Sequence, residues 1–414
     1  MSTQVQAWKM KKQVVVVGAG PGGVVMAYLL ARSGVDVVLV ERHTKLDREF
    51  RGYFFQPLVL KLLDEMGLLT GLLKRDHHKT DSFHFIDRKK ELFSVNFFEL
   101  SPPYNYGLLM HQPLFLAYLI EQASRFKTFT YLSGTRVTEL YKENGRTAGI
   151  KALQGQEELI IRSQLVVGAD GRFSTIRKLA GIEMEQETHD LDFIWFDLPG
   201  QPEGHAGHLQ IQIERDGMLI YTPKGSDLTQ IGWVIPKGTY TEVRARGLDS
   251  LKRQLMAVDP HIAPLLHHLV DFKQISVLDI QVAMAAEWVQ DGLMLIGDAA
   301  HIASPFSGQG NSLAIQDAVV AHGVIMQALE RAGTEVLSQE TLKPLEQLRR
   351  RPVEKIKRIQ RMQAKMITIK NPLLVALRRT ILPIIRRTPI FRRMRNTIAM
   401  GTTPIYIRSQ YFKQ

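Results

Sequence analysis

The chain has 414 residues and no cysteine, which excludes disulfides and cysteine metal sites and suits a reducing cytoplasm. Hydrophobic residues at 45% and charged residues at 23% are the balance of a soluble globular protein of two or three domains. The formal charge of +12 is concentrated at one end: residues 341–414 carry 19 Lys+Arg against 2 Asp+Glu, and the other 340 carry 34 against 39, so a mildly acidic body bears a basic tail.

Residues 1–12 read as a loose polar lead without the apolar core of a signal peptide. No apolar run reaches the ~18 residues of a membrane-spanning helix. Val14-Val15-Val16-Val17 is a buried β-branched strand. Gly18-Ala19-Gly20-Pro21-Gly22-Gly23 then fits G-x-G-x-x-G. A helix is expected over about 24–33, stopped by Gly34, and a second strand over 35–40. Gly18 permits the tight turn, Gly20 lets a pyrophosphate approach the backbone, and Gly23 lets helix and strand pack closely. The helix N-terminus offers unpaired N–H groups to the phosphate. Glu41 lies 21 residues after Gly20, where a carboxylate accepts both hydroxyls of an adenosine ribose. That carboxylate disfavours a 2′-phosphate, so FAD or NAD is expected at this site rather than NADP.

Further along, Leu58, Leu62, Leu63, Met66 and Leu69 predict a helix opened by Pro57. Short strands are expected over 84–87 and 92–95, and a helix with Pro113 in its first turn. Residues 128–167 read as strands, with Asn144-Gly145 as a hairpin turn. The buried strand 165–167 runs into Gly168-Ala169-Asp170-Gly171-Arg172-Phe173-Ser174, where Ser174 can cap a short helix. Residues 192–237 are strand-rich, with Asp216-Gly217 as a turn. A helix over 251–269 is interrupted by Pro260 and Pro264, and a strand follows over 275–283. Gly297-Asp298-Ala299-Ala300-His301 precedes a long helix from about Gly310 to Arg331. The tail is helical, with breaks expected at Pro352, Pro372, Pro383 and Pro389.

Three motifs therefore occur in order and widely spaced. Together they resemble the class A flavin-dependent monooxygenases, the family of para-hydroxybenzoate hydroxylase, over about residues 13–330. Asp170-Gly171-x-x-Ser174-x-x-Arg177 matches that family's Asp-Gly motif. Gly297-Asp298, followed by Pro305 and Gly308-Gln309-Gly310, matches its Gly-Asp motif. The resemblance implies an α/β fold: a Rossmann-like FAD-binding domain with an inserted mixed-sheet substrate domain, followed here by a C-terminal helical region. On that layout residues 1–75, 106–184 and 291–335 bind FAD. Residues 76–105 and 185–290 form the substrate domain, and 336–414 the basic helices.

The resemblance places Gly18, Gly20, Gly23 and Glu41 on the ADP half of FAD and adds Gly22, Arg42 and Val137 to the cofactor-binding set. Arg51 would sit near the flavin and the pyrophosphate. It is a candidate catalytic residue together with Pro305, which would lie over the flavin face where oxygen adds. Gln112 would be near the cofactor ribose and phosphate, and Asp298 on the ribityl chain. Gly308, Gly310, Asn311 and Ser312 would open a helix whose N–H groups face the flavin pyrimidine. Asp170 would shape the groove between FAD and a transient NADPH. One departure from the family pattern Gly-Gln-Gly-x-Asn is visible: the last position is Ser312, with Asn311 one place earlier.

The implied activity is an FAD-dependent monooxygenase. NADPH or NADH reduces FAD, O2 adds at flavin C4a, and the hydroperoxide hydroxylates or epoxidises an aromatic or lipophilic small molecule. Two other readings stand beside it: a flavin-dependent reductase of a C=C bond, as in the related geranylgeranyl reductases, and a non-catalytic flavin-binding protein working through its tail. Substrate contacts are expected from 83–98 and 185–290. Phe193, Trp195, Phe196, Tyr221 and Trp233 lie in the latter, although sheet core is the commoner fate of any one of them. No base that would deprotonate a phenol is assigned. Gly232-Trp233-Val234-Ile235-Pro236 holds half of the halogenase pattern W-x-W-x-I-P, and Ile231 in place of the first tryptophan disfavours halogenation.

No metal site is expected, because His77-His78 and His267-His268 lack partners at ligand spacing, and His301 reads as a structural hydrogen-bonder. No nucleic-acid module is visible. Arginine doublets alternate with apolar groups in the tail. They suit either contact with the inner face of an anionic membrane or a helical layer packed on a cytoplasmic enzyme with its arginines paired to the acidic body.

Overall fold

In the computed structural model, Val14–Val17 is the fully buried centre of the largest apolar cluster. The described residues are 8–46, 54–87, 90–187, 190–203, 208–214, 217–224, 227–369 and 371–413. A six-stranded sheet runs in the order Val289–Gln290, Leu293–Leu295, Leu165–Gly168, Val14–Val17, Val37–Val40, Phe129–Leu132. All its pairs are parallel except the antiparallel edge strand Val289–Gln290. The helix Pro21–Arg32 packs between Gly310–Ala332 and Gln112–Ala123. A second sheet of Trp8–Lys11, Glu157–Arg162, Arg146–Gln154 and Thr135–Glu143 sends Val137, Ile150, Leu159 and Ile161 into the same core.

The other half is a seven-stranded sheet in the order Ser276–Asp279, Leu191–Pro199, Leu228–Pro236, Gly217–Lys224, Leu209–Glu214, Ser82–Asp87, Lys90–Asn96. Only Leu209–Glu214 and Ser82–Asp87 pair in parallel. The hairpin from residues 82–96 thus joins strands contributed by residues 191–279. Because side chains alternate across a strand, Phe193 and Trp195 face one cluster, while Ile194 and Phe196 face another built on the helix Leu248–Val258.

Several expectations are corrected. Part of the polar lead is a strand, Trp8–Lys11, paired in parallel with Glu157–Arg162. The first helix begins at Pro21 rather than 24, since proline's fixed φ suits a first helical position after Gly20. The stretch 275–283 is two strands in two sheets, Ser276–Asp279 and Val282–Ala285. Pro352 and Pro383 lie inside the helices Pro344–Ile367 and Pro372–Ile385. Each removes one backbone hydrogen bond, and at Pro352 the buried row Leu345, Arg349, Val353 and Ile356 keeps the helix continuous. Pro372 and Pro389 open their helices instead. The span Phe306–Ala332 is long and apolar enough to cross a membrane, but 78% of its most apolar window is buried inside the protein, so it is a core helix.

The tail is a packed layer. Arg378 and Arg379 pair with Asp87, Arg395 with Glu99, and Lys357 with Glu187. The chain end then returns to the first half, where Phe412 lies under Arg32 at 4.1 Å.

Candidate active site

The glycine turn is built as its spacing predicts. Gly18 has φ +104°, and a Cβ there would meet the Ala169 carbonyl at 2.5 Å. A Cβ on Gly23 would sit 1.9 Å from the Gly18 oxygen, so only glycine lets the helix seat on the turn. Gly20 opens to a cavity, with nothing nearer its Cβ position than Ala169 O at 3.9 Å. Gly22 lines the same cavity beside Ala314. The helix has no side-chain cap and no acidic residue in its first turn, which leaves its N–H groups and positive end for an anion.

Glu41 is buried at the end of the second strand. Its Oε2 accepts from Ala19 N at 2.8 Å and its Oε1 from His43 N at 3.0 Å. These bonds fix the orientation of the carboxylate. Arg42 is exposed, with Nε donating to His43 Nε2. Val137 is buried, and neither it nor Arg42 lines the cavity. Arg51 lies outside the described residues.

Asp170 accepts from the Ser174 hydroxyl and from the N–H groups of Thr175 and Ile176, while Ser174 caps Arg177 N. Burial pushes the Asp170 carboxyl up, against those hydrogen bonds. Arg177 donates from Nη1 to Ala299 O at 2.9 Å and from Nη2 to Arg172 O at 2.8 Å. It thereby ties the Asp170 segment to the Gly297-Asp298 segment. Burial lowers its pKa, opposed by the charges of Asp170 and Asp298.

Gly297 N donates to Asp317 Oδ2 at 3.0 Å. The same oxygen meets His301 Nε2 at 2.6 Å, and Arg349 Nε donates to Asp317 Oδ1 at 2.7 Å. All three side chains are buried. Burial alone would raise the Asp317 carboxyl; His301 and Arg349 outweigh it and hold the pKa at about 2. His301 is therefore a structural hydrogen-bonder. Asp298 itself lines the cavity, and among the described residues its carboxylate makes no hydrogen bond.

Pro305 and the next three residues form a tight loop in which Ser307 is left-handed, φ +66°. Glutamines hold that loop. Gln56 Nε2 donates to Ser307 O at 2.8 Å, Gln360 Nε2 donates to Ser304 O and Phe306 O at 2.8 and 2.7 Å, and the Ser307 hydroxyl donates to Gln363. Gly310 and Asn311 begin the uncapped helix Gly310–Ala332 and line the cavity with Gly308. Gln112 Nε2 reaches Asn311 Oδ1 at 3.1 Å. Ser312 is buried, accepts from Gln316 and does not line the cavity.

The structure thus brings Gly20, Gly22, Gln112, Asp298, Pro305, Gly308, Gly310 and Asn311 onto one cavity of about 290 Å³. Two uncapped helix N-termini face it, and its far wall is Phe83, Phe85, Phe193, Trp195, Ile211 and Ile220. Phe196, Tyr221 and Trp233 point to the other side of the sheet. Sequence reasoning missed Gln56, Gln360, Gln363, Asp317 and Arg349. A faint signal existed for Asp317, a lone acid within the apolar stretch 313–321. An open Gly20 face, an unpaired Asp298 and two positive helix ends together fit an extended dinucleotide of the FAD kind.

Residues 11–346 match the FAD binding domain family. The chain is 37% identical over 406 residues to a 6-methylpretetramide 4-monooxygenase of Streptomyces rimosus, covering 97% of this chain and 95% of that one. It is 26% identical to a digeranylgeranylglycerophospholipid reductase of Methanothrix thermoacetophila, covering 79% and 81%. Among solved structures, p-nitrophenol 4-monooxygenase PnpA of Pseudomonas putida superposes with a TM-score of 0.79 at 18% identity, over 96% of this chain and all of that one. The chain belongs to the FAD binding domain family, as an FAD-dependent aromatic monooxygenase that draws its electrons from a reduced nicotinamide.

Proposed function

We propose that this enzyme hydroxylates a large, planar, electron-rich phenol, of the class to which its relative's 6-methylpretetramide belongs. The carrying observation is the cavity wall: aromatic and aliphatic side chains face the motif residues, and among the described lining residues the ionisable ones are Arg172, Asp279 and Asp298. Such a wall orients a ring by stacking and excludes water. The carboxylate on this wall, Asp279, is paired with Lys237, which holds it below the usual carboxylate range and makes it a weak base, and that suits a substrate whose own hydroxyls activate the ring. The balance is substrate C–H, O2, NAD(P)H and a proton going to substrate C–OH, water and NAD(P)+.

When bound, FAD supplies the redox chemistry; the chain supplies the following. The turn from Gly18 to Gly23 and its helix end hold the pyrophosphate. Glu41 takes the adenosine ribose, with Arg42 and Val137 on the adenine side, and Gln112 lies between ribose and phosphate. Asp298 accepts ribityl hydroxyls. Asn311 and the N-terminus of Gly310–Ala332 face the pyrimidine carbonyl, favouring negative charge there. Ser312 anchors that turn through Gln316. Pro305 covers the reacting face, and Asp170 shapes the groove for the nicotinamide. Arg51 is assigned beside the flavin on the resemblance alone. We place the enzyme in the cytoplasm, with the basic tail as the segment suited to a membrane face.

The test is turnover of 6-methylpretetramide and of simpler fused phenols with NADPH or NADH under 18O2. A product heavier by one labelled oxygen supports the reading. A product heavier by two hydrogens, formed without oxygen uptake, favours the C=C reductase instead. Peroxide as the sole oxygen product across the panel refutes the substrate class.

A further inference from the structure

The helix Pro372–Ile385 is turned the reverse way for a protein surface. Its inner side seats Arg378 and Leu382, each 8% exposed, and Arg378 and Arg379 both donate to the buried carboxylate of Asp87. Its outer side presents Leu373, Leu374, Leu377, Ile381 and Ile384, exposed by 80, 49, 52, 38 and 63%. At 3.6 residues per turn these five share an arc of about 100° along a helix roughly 21 Å long. A surface helix of a soluble domain buries such a stripe and exposes its charges. Here the charged anchor at Asp87 draws the guanidinium groups inward and leaves the aliphatic side chains in solvent. Ile390, 74% exposed on the next helix, adds to them.

The surroundings of this stripe are cationic. Residues 355–414 contain no Asp or Glu, and Arg387, Arg392 and Arg393 are exposed on and beside the two helices, while Arg386 pairs with Glu91 at 3.5 Å. We propose that this face docks the enzyme on an anionic lipid surface, its apolar arc in the acyl boundary and its arginines among the headgroups. A second copy is a poor occupant, because it would set two tails of net +17 (19 basic against 2 acidic residues in 341–414) against each other. A lipid surface answers both features at once, with a negative plane above an apolar layer. The helix's inner side, through Arg378 and Leu382, lines a small apolar cavity that shares Phe85 and Gln363 with the main one. The docked face therefore lies one helix away from the substrate wall. This inference builds on the tail's proposed placement and not on the substrate reading.

The experiment uses the full-length FAD-loaded protein and vesicles of phosphatidylcholine with or without about 30 mol% of the anionic lipid phosphatidylserine. Co-sedimentation with the anionic vesicles at low salt, fading with salt and weak on phosphatidylcholine alone, is expected. The variant Leu373→Ser/Leu377→Ser/Ile384→Ser, changed only at exposed positions, should bind at least ~10-fold more weakly. Arg387→Gln/Arg392→Gln should lose about 25-fold, from about fivefold per basic residue. Circular dichroism and the flavin spectrum should stay unchanged in both. Three results would each overturn the proposal: no binding by the unaltered protein, equal binding by the triple serine variant, or equal binding with and without phosphatidylserine. Self-association that the serine variant abolishes, without vesicle binding, would assign the face to a second copy. NAD(P)H oxidation in the same samples is read separately, so a failed docking surface and a failed catalytic reading cannot be confused.

Discussion

Arg349→Met tests whether the tail is part of the cofactor site. Arg349 stands beyond the span of the FAD binding domain match, yet its Nε donates at 2.7 Å to Asp317, which is wholly buried. Methionine keeps most of the aliphatic volume and removes the guanidinium, so Asp317 keeps His301 and Gly297 N–H but loses its permanent cation. Breaking a buried pair from one side costs about 3–5 kcal/mol, since a charge is left without its partner. The measure is denaturant unfolding of the FAD-loaded protein, for Arg349→Met, Asp317→Leu and the double variant. Removing both charges should cost several kcal/mol less than the sum of the singles. The pH dependence supplies a second reading. With its pKa held at about 2, below the usual 3.8, Asp317 contributes stability that is whole above 3.8 and lost as pH falls through 2. In Arg349→Met the folded-state carboxyl is released upward toward 3.8, so the acid-dependent loss should shrink and end at higher pH. Because Asp317 also holds the turn that presents Asp298, FAD should bind about tenfold more weakly, or ~1.4 kcal/mol. A cost below ~1 kcal/mol with singles that simply add would refute the coupling.

Glu41→Ala removes the carboxylate assigned to the adenosine ribose. FAD affinity by flavin fluorescence should fall about 10- to 100-fold, the worth of hydrogen bonds to a charged group; an unchanged affinity would sink the assignment. Trp195→Ala and Trp233→Ala should separate. Trp195 lines the cavity, so its loss should raise KM about tenfold through lost stacking. Trp233 is buried on the opposite side of the sheet, so its loss should cost about 3–5 kcal/mol in unfolding with KM unmoved. His322, buried against the Ser33 hydroxyl, is pushed down by burial to about 4 from the usual 6.5. Its folded-state pKa lies below the unfolded one, so the neutral ring's contribution is whole above 6.5 and declines as pH falls toward 4, by about 3 kcal/mol in all. His322→Gln should flatten the melting-temperature profile across that window, and an unaltered profile would show that the ring does not titrate there.

What the sequence determined by itself is what short-range chemistry dictates. The glycine turn between Val17 and Val24 needed only a strand, a helix start and the absence of Cβ atoms, all within one βαβ unit. Asn144 and Gly145 take φ of +51° and +79°, the backbone that a tight hairpin demands of those residues, and Ser174 caps the helix that its spacing predicts. Other features are set by pairings across tens or hundreds of residues. Strand register decided that Phe193 and Trp195 face the cavity while Phe196 and Trp233 do not, because one step along a strand moves a side chain to the other face. Gln363 reaches Ser307 across 56 positions and Arg349 reaches Asp317 across 32. Asp87 orients a helix 291 positions away and so exposes its leucines. Nothing local in composition or periodicity encodes these contacts. They exist because closing two sheets and wrapping a tail over both brings those groups within hydrogen-bonding reach, and burial then makes each partner costly to lose.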